Sequence, residues 1–171
     1  MKAADLRPEL ERLHEVSFAW ALYCCRNRRD EAEELLQDVY IRVLDGRAQF
    51  DQRSSVKTWL FGVIRRTARE RARRRWLRFL LLERRQRREP EAVPAADPEN
   101  LLRISERNQK LRRALERLPW RQQEVLHLVF YQDLTVEESA QMLGLSLGSA
   151  RTHFGRGKAR LRELLAGDDW Q

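Results

Sequence analysis

The sequence is poor in residues that interrupt helices, since its 171 positions include only seven glycines and five prolines. This scarcity favours long helices, and we predict an all-α chain. Long hydrophobic runs are lacking too: the longest, Phe18 to Cys25, is far short of the roughly 20 residues that cross a membrane. The first residues contain no apolar core of a secretion signal, so we expect a cytoplasmic protein with no membrane span.

Cysteine is almost absent. The two cysteines, Cys24 and Cys25, are neighbours in the chain. Adjacent cysteines rarely bridge each other, and without a nearby histidine they do not complete a zinc site. We expect them to be small core residues in a reduced cytoplasm, and we predict neither a metal nor a cofactor.

The sequence also offers little for catalysis. Its three histidines, His14, His127 and His153, are widely scattered, and no glycine-rich phosphate loop is present. The carboxylates fall at helix starts and on charged helix faces. We therefore do not expect an enzyme acting on nucleic acid.

Positive charge, by contrast, is concentrated in one segment. The formal net charge is +8, and residues 65–88 alone hold twelve arginines and two glutamates, a net charge of +10. A cationic stripe of this density binds phosphate polymers by releasing their counterions, which predicts a nucleic-acid partner. An anionic membrane surface is the alternative, because the apolar residues Trp76, Leu77 and 79–82 follow the arginines.

The spacing of apolar residues predicts three helices in the first half. The first covers residues 5–27. Asp30 and Glu33 have capping-box spacing at the start of the second, which ends at Gly46. Its apolar stripe, from Ala32 to Leu44, is predicted to be buried. Ile41 lies off this stripe among polar residues, which hints at a partner surface.

The third helix follows a loop over residues 47–53. Either Ser54 or Ser55 is placed to cap it. Its apolar stripe includes Trp59, Leu60 and Ile64, and the helix then continues into the arginines and loses its apolar face. Such a helix is suited to meeting a phosphate backbone.

Composition changes near the middle of the chain, where three of the five prolines fall within residues 89–98. This pattern is typical of an extended linker. We therefore predict two small helical domains, over residues 1–88 and 101–171, joined by a flexible linker at 89–100.

The second half contains the signature of a helix-turn-helix. Thr135 and Glu138 form a capping-box pair at the start of a short helix that ends before Gly144, and Ser146 is placed to cap the next helix. Early residues of that second helix can reach base edges, and later cations can reach phosphates. Gly155 and Gly157 interrupt it, at about 1 kcal/mol each relative to alanine.

Together the two halves resemble a bacterial RNA polymerase sigma factor of the extracytoplasmic-function (ECF) group. The first half is similar to sigma region 2 in the segments Ala32–Tyr40, Phe50–Asp51 and Lys57–Phe61. The second is similar to sigma region 4 in the segments Leu118–Pro119, Gln123–Leu126, Leu134–Glu138, Leu143–Ser146 and Gly148–Thr152.

The resemblance implies three binding surfaces. Docking on the clamp helices of the polymerase core would use Glu34, Gln37, Asp38 and Ile41. Capture of a base flipped from the minus-ten element, and contact with the DNA nearby, would use Phe50, Asp51, Ser54, Ser55, Lys57, Arg65, Arg66, Arg69 and Arg73. Reading of the minus-thirty-five element would use Ser149, Arg151, Thr152, His153, Arg156 and Lys158.

The partners implied are RNA polymerase core, promoter DNA and an anti-sigma factor. The alternative is a helix-turn-helix repressor or activator that acts without polymerase. Such a regulator has no need of an acidic helix joined to an aromatic loop and a basic helix, so the first half favours the sigma factor.

Overall fold

The computed structural model describes residues 3–83 and 106–166, which form helices and connecting turns and, within those ranges, no strand. In chain order the helices are α1 Ala3–Arg12, α2 His14–Cys24, α3 Arg29–Leu44, α4 Val56–Glu83, α5 Glu106–Glu116, α6 Trp120–Phe130, α7 Val136–Leu143 and α8 Leu147–Ala166. The all-α expectation is confirmed.

Contacts divide the chain into two compact units, Met1–Asp97 and Pro98–Gln171. The predicted linker, residues 89–100, lies outside the described residues. The linker and the domain boundaries on either side of it therefore stay a prediction.

The expected single helix over residues 5–27 is two helices. Leu13, with ψ near 4°, separates α1 from α2. The two segments have different neighbours, because α1 packs mainly on α3 whereas α2 packs on both α3 and α4. Trp20 of α2 is fully buried, and its indole N–H donates to the Phe61 carbonyl of α4 at 3.1 Å. The break at Leu13 thus separates a helix that packs on α4 from one that packs mainly on α3.

The predicted capping box at Asp30 is wrong. Helix α3 begins at Arg29, and the residue before it, Arg28, is extended and makes no side-chain cap. Asp30 and Glu31 lie inside the first turn, where carboxylates interact favourably with the helix dipole. Arg28 forms an ion pair with Glu31 instead.

The start of α4 and the end of α3 follow local sequence rules. Ser55, one of the two alternatives, caps α4: its Oγ accepts the backbone N–H of Thr58 at 3.1 Å. Gly46 closes α3 with a positive φ of 72°. Helix α4 is 28 residues long, about 42 Å, and as predicted it loses its buried face along the arginine segment, where Trp76 and Leu77 are exposed.

The helix-turn-helix of the second unit forms as predicted. The Thr135 hydroxyl accepts the N–H of Glu138 at 3.1 Å, and the Glu138 carboxylate accepts the N–H of Thr135 at 2.8 Å. Gly144 stops α7 with a φ of 66°. Ser146 caps α8 through the N–H of Ser149 at 3.1 Å. Pro119 is the residue before α6.

Candidate nucleic-acid interface

Among the arginines of α4 the structure distinguishes two groups that the sequence did not separate. One group forms ion pairs with acidic residues of α3. Arg71 Nε lies 3.4 Å from Asp38 Oδ2, and Arg75 Nη1 lies 2.6 Å from Glu31 Oε1. An Arg71 N–H also donates to the Glu34 carbonyl oxygen at 3.1 Å. These ion pairs stabilise the contact between α3 and α4 and offset part of the charge of Arg71 and Arg75.

The second group faces away from α3. Arg66, Arg69 and Arg73 are exposed, and within the described ranges Arg66 and Arg73 form no ion pair. Arg66 and Arg73 lie seven residues apart, close to two helical turns, so they share one face of α4. Arg65, predicted to join them, is only 8% exposed. The cations available to an anionic partner are therefore fewer than the net charge of the segment suggests.

The loop before α4 is held together by two aromatic rings. Phe50 packs on Trp59 with ring centroids 5.3 Å apart, and the Trp59 indole N–H donates to the Gln49 carbonyl at 3.1 Å. Trp59 was expected only as a member of the apolar stripe of α4; in the structure it is half-buried and supports the loop. Asp51 Oδ1 accepts the backbone N–H of Arg53 at 3.2 Å. The loop is thus ordered by its own contacts.

The remaining loop candidates lie at the helix start. Ser54 is half-buried beside Ser55, whose hydroxyl is engaged in the cap and in a 2.8 Å hydrogen bond with Thr58. Lys57 extends over the Phe61 ring, 5.8 Å from its centroid. Lys57 thus follows the loop closely in sequence, but its ammonium group lies over Phe61 and not beside the Phe50–Trp59 pair.

The outer face of α3 lies opposite its buried stripe. Glu34, Gln37 and Ile41 are exposed, Ile41 at 45%, and Asp38 is half-buried at the edge facing α4. Beside this face, α2 and α3 enclose a groove of about 450 Å³ that the sequence did not predict. Its lining includes Phe18, Leu36, Tyr40, Ile41 and Leu44. Leu44, expected in the core, is 37% exposed at one end of this groove.

The outer face of α8 contains small residues between cations. Ser149, Arg151, Thr152 and Arg156 are exposed, whereas His153 and Lys158 are half-buried. Lys158 lies over the Phe154 ring, 5.4 Å from its centroid. A Cβ built on the exposed Gly155 meets no atom within 4 Å. This helix therefore presents exposed polar and cationic side chains around an unobstructed centre.

The structure explains why position 157 is a glycine, which the sequence alone did not reveal. It is buried against α6, and a Cβ at this position would lie 3.0 Å from Leu126 Cδ1 and 3.2 Å from Gln122 Cβ. Only glycine allows α8 to approach α6 this closely. The helix-propensity cost at Gly157 is thus offset by packing, while the cost at Gly155 is not.

One titratable group in the second unit is strongly shifted. Burial lowers the pKa of His127 to about 4. Its imidazole stacks on Tyr131 with ring centroids 5.1 Å apart. His127 is thus neutral at physiological pH and is a packing residue of this unit.

Residues 3–83 and 106–166 contain no group of three or more His, Cys, Asp or Glu residues arranged to hold a metal ion. No helix in these ranges is long and apolar enough to cross a bilayer.

Comparison with known protein families assigns both halves. The family profile "Sigma-70 region 2" matches residues 10–78, and "Sigma-70, region 4" matches residues 108–161. The sigma factor YlaC of Bacillus subtilis is 28% identical over 163 residues, covering 95% of this chain and 94% of YlaC. The ECF sigma factor RpoE of Cereibacter sphaeroides is 33% identical over 142 residues, covering 80% of this chain and 73% of the relative.

Solved structures agree with this assignment. The sigma factor RpoE of Bartonella quintana, solved with the anti-sigma factor NepR, has a TM-score of 0.70 and 26% identity, covering 96% of this chain and 99% of that one. CnrH, solved with the cytosolic domain of CnrY, shares the fold with a TM-score of 0.65. Regions 2 and 4 together recognise promoters with RNA polymerase, which excludes a stand-alone regulator. The chain belongs to the ECF family of RNA polymerase sigma factors.

Proposed function

We propose that this sigma factor docks on the polymerase core through the outer face of α3, formed by Glu34, Gln37, Asp38 and Ile41. An exposed isoleucine among acidic and amide side chains offers an apolar contact with a polar rim, the composition of a protein interface. The ion pairs of Asp38 with Arg71 and Arg42 fix this edge of the face. Pre-ordered side chains reduce the entropy lost on binding.

The minus-ten element is captured by the loop before α4 and by the first turns of that helix. Unstacking one base costs a few kcal/mol, which contacts in a pocket and with the backbone must offset. The loop residues Phe50, Asp51, Ser54 and Ser55 would supply the pocket. Phosphates would be bound by the cations Lys57, Arg66, Arg69 and Arg73. Arg65 exposes little area, so its contribution would be to support this helix.

The minus-thirty-five element is read by α8 in the major groove. Ser149, Arg151 and Thr152 occupy the first turns, where side chains reach base edges, and Arg156 follows on the exposed side. The open surface at Gly155 lets the helix approach the groove closely. His153 and Lys158, both half-buried, would lie at the margin and contact the backbone.

Two separate units suit two separate promoter elements. In this proposal residues 1–88 bind polymerase and the minus-ten element, and residues 101–171 bind the minus-thirty-five element. Residues 89–100 connect them. The chain acts in the cytoplasm with the polymerase, performs no catalytic step of its own and needs neither a metal nor a cofactor.

An anti-sigma factor is the expected regulator. The Bartonella quintana RpoE is found in complex with the anti-sigma factor NepR, and its fold matches almost the whole of this chain. We expect a corresponding inhibitor to bind this chain and to compete with polymerase core for the outer face of α3.

The observation that carries the minus-ten assignment is the separation of the α4 arginines into an ion-paired row and an exposed row that continues from the aromatic loop. The test of the whole proposal is reconstitution with core polymerase. Core alone and core with this chain would transcribe a library of genomic fragments, and the transcripts would be mapped. Start sites that require the chain are expected. Their absence, when the chain is folded and binds core, would contradict the proposal.

A further inference from the structure

An exposed tryptophan follows the exposed arginine row of α4. Trp76 is 59% exposed. The last ion pair found between α3 and α4 in the described residues is that of Arg75, so Trp76 lies just beyond the ion pairs that join the two helices. Leu77 and Phe79 next to Trp76 are 42% and 43% exposed, and neighbouring exposed apolar side chains of this kind mark an interaction surface.

Helix geometry places Trp76 on the same face as the exposed arginines. It lies seven residues after Arg69, as Arg73 lies seven residues after Arg66, and seven residues are close to two turns. The distance along the axis from Arg66 to Trp76 is about 15 Å, the length of a few nucleotides. The aromatic ring thus continues the cationic row beyond Arg73.

We infer that Trp76 is a further DNA-contacting residue of the first unit; this inference rests on the proposed function of α4. An indole beside cations suits nucleic acid in two ways. It stacks on an unpaired base, or it packs against the sugars of a duplex strand whose phosphates the arginines bind. Neither contact requires a charge, so Trp76 adds affinity without adding to the salt dependence of binding.

An anionic lipid surface fits these residues less well. A helix that lies in a membrane interface separates an apolar face from its charges. On the circumference of α4, Arg73 lies between Trp76 and Leu77, and Arg69 lies between Trp76 and Arg73. The arc that contains the exposed tryptophan therefore contains two cations, which favours a polyanion strand over hydrocarbon.

The test compares variants in the reconstituted holoenzyme, with promoter affinity measured over a range of salt concentrations. Trp76→Ala is expected to weaken promoter binding about tenfold with an unchanged salt slope, and Trp76→Phe to restore most of the affinity. Phe79→Ala is the matched control, because Phe79 is 43% exposed on the same helix but lies off the arginine row. The double variant Arg66→Ala/Arg73→Ala reports on the proposed phosphate contacts and is expected to lower the slope.

The outcomes separate this inference from the proposed function. If Trp76→Ala binds like Phe79→Ala while the arginine variant is weakened, the inference is overturned and the proposed function stands; if all variants bind like wild type, both fail. The inference would also be overturned if Trp76→Ala kept normal promoter affinity but no longer bound phosphatidylglycerol vesicles. If Trp76→Ala loses more affinity for a premelted promoter than for a duplex promoter, Trp76 stacks on a base. If the two losses are equal, it contacts the DNA backbone. Either result supports the inference.

Discussion

Arg71 of α4 and Asp38 of α3 form an ion pair, with Nε and Oδ2 3.4 Å apart, that joins the basic helix to the outer face of α3. Asp38 is also 3.2 Å from Arg42 Nε. One carboxylate therefore serves two cations within the fold, and it lies at the edge of the surface proposed to bind polymerase.

Replacement of Asp38 would consequently have two effects. Asp38→Arg is expected to weaken core binding, and it also places a third cation beside Arg42 and Arg71, which lowers stability. Ile41→Asp separates the effects, because Ile41 is exposed and makes no ion pair. We expect about tenfold weaker core affinity with an unchanged melting temperature. Ala19→Asp adds the same charge at an exposed site of α2; equal affinities for both variants would contradict the docking face.

The two groups of arginines should respond differently to substitution. Arg66→Ala/Arg73→Ala removes two exposed cations and is expected to reduce the slope of log affinity against log salt by about 2, with stability unchanged. Arg71→Ala/Arg75→Ala removes ion pairs with α3 and is expected to lower the free energy of unfolding by about 1 kcal/mol, with a smaller change in slope. The measurements are holoenzyme binding to promoter DNA at several salt concentrations, and thermal unfolding. Identical salt slopes for the two variants would count against the division.

The exposed arginines of α8 should determine minus-thirty-five recognition. Arg151→Ala/Arg156→Ala is expected to abolish the holoenzyme footprint over that element, because it removes both cations from the face proposed to enter the groove. Arg117→Ala is the control, since Arg117 is exposed in the same unit outside α8. A footprint that survives the double substitution refutes the assignment of α8.

Alanine substitutions at the two glycines of α8 should change the free energy of unfolding in opposite directions. Gly155→Ala is expected to raise the free energy of unfolding by about 0.5–1 kcal/mol, because the added methyl meets no neighbour and alanine favours the helix. Gly157→Ala is expected to lower it by about 1 kcal/mol, because the methyl would press on Leu126 and Gln122. Thermal or denaturant unfolding of both variants checks this. A stabilising Gly157→Ala would show that α6 and α8 separate at little cost.

Acid should destabilise the chain through His127. Its pKa is lowered to about 4 in the folded protein and is about 6.5 when unfolded. Between these values only the unfolded state takes up the proton, so the contribution of His127 to stability is intact above pH 6.5 and is lost as the pH falls. The loss is about 2 kcal/mol at pH 5. Unfolding would be compared for wild type and His127→Leu from pH 7.5 to 5; the variant should lose less stability, and parallel curves would contradict the shift.

Local sequence rules correctly predicted the starts of α4, α7 and α8 and the end of α7. The Thr135 capping box, the Gly144 stop, and the Ser55 and Ser146 caps each depend on contacts within a few residues. Such contacts form in the same way in most tertiary settings, which is why they can be read from sequence. The Asp30 capping box met the same spacing rule but does not form, because α3 begins at Arg29 and Asp30 lies inside its first turn.

Other features depended on neighbours distant in the chain. The break at Leu13 separates two helices with different packing partners, α1 on α3 and α2 on both α3 and α4. The role of Trp59 required Phe50 to fold back on it, and the need for glycine at position 157 required the approach of α6. No spacing rule within one helix contains this information.

The all-α class, the helix-turn-helix and the concentration of positive charge in one helix can be read from the sequence alone, because helix periodicity, caps and net charge are properties of short segments. Which arginines of that helix form ion pairs and which stay exposed depends on the packing of α3 against α4. This packing brings Glu31, Glu34 and Asp38 of α3 against one side of α4, where they form ion pairs with Arg71 and Arg75, whereas Arg66 and Arg73 stay exposed. The net charge of a segment follows from its sequence, but the formation of ion pairs depends on distances between residues that are far apart in the chain.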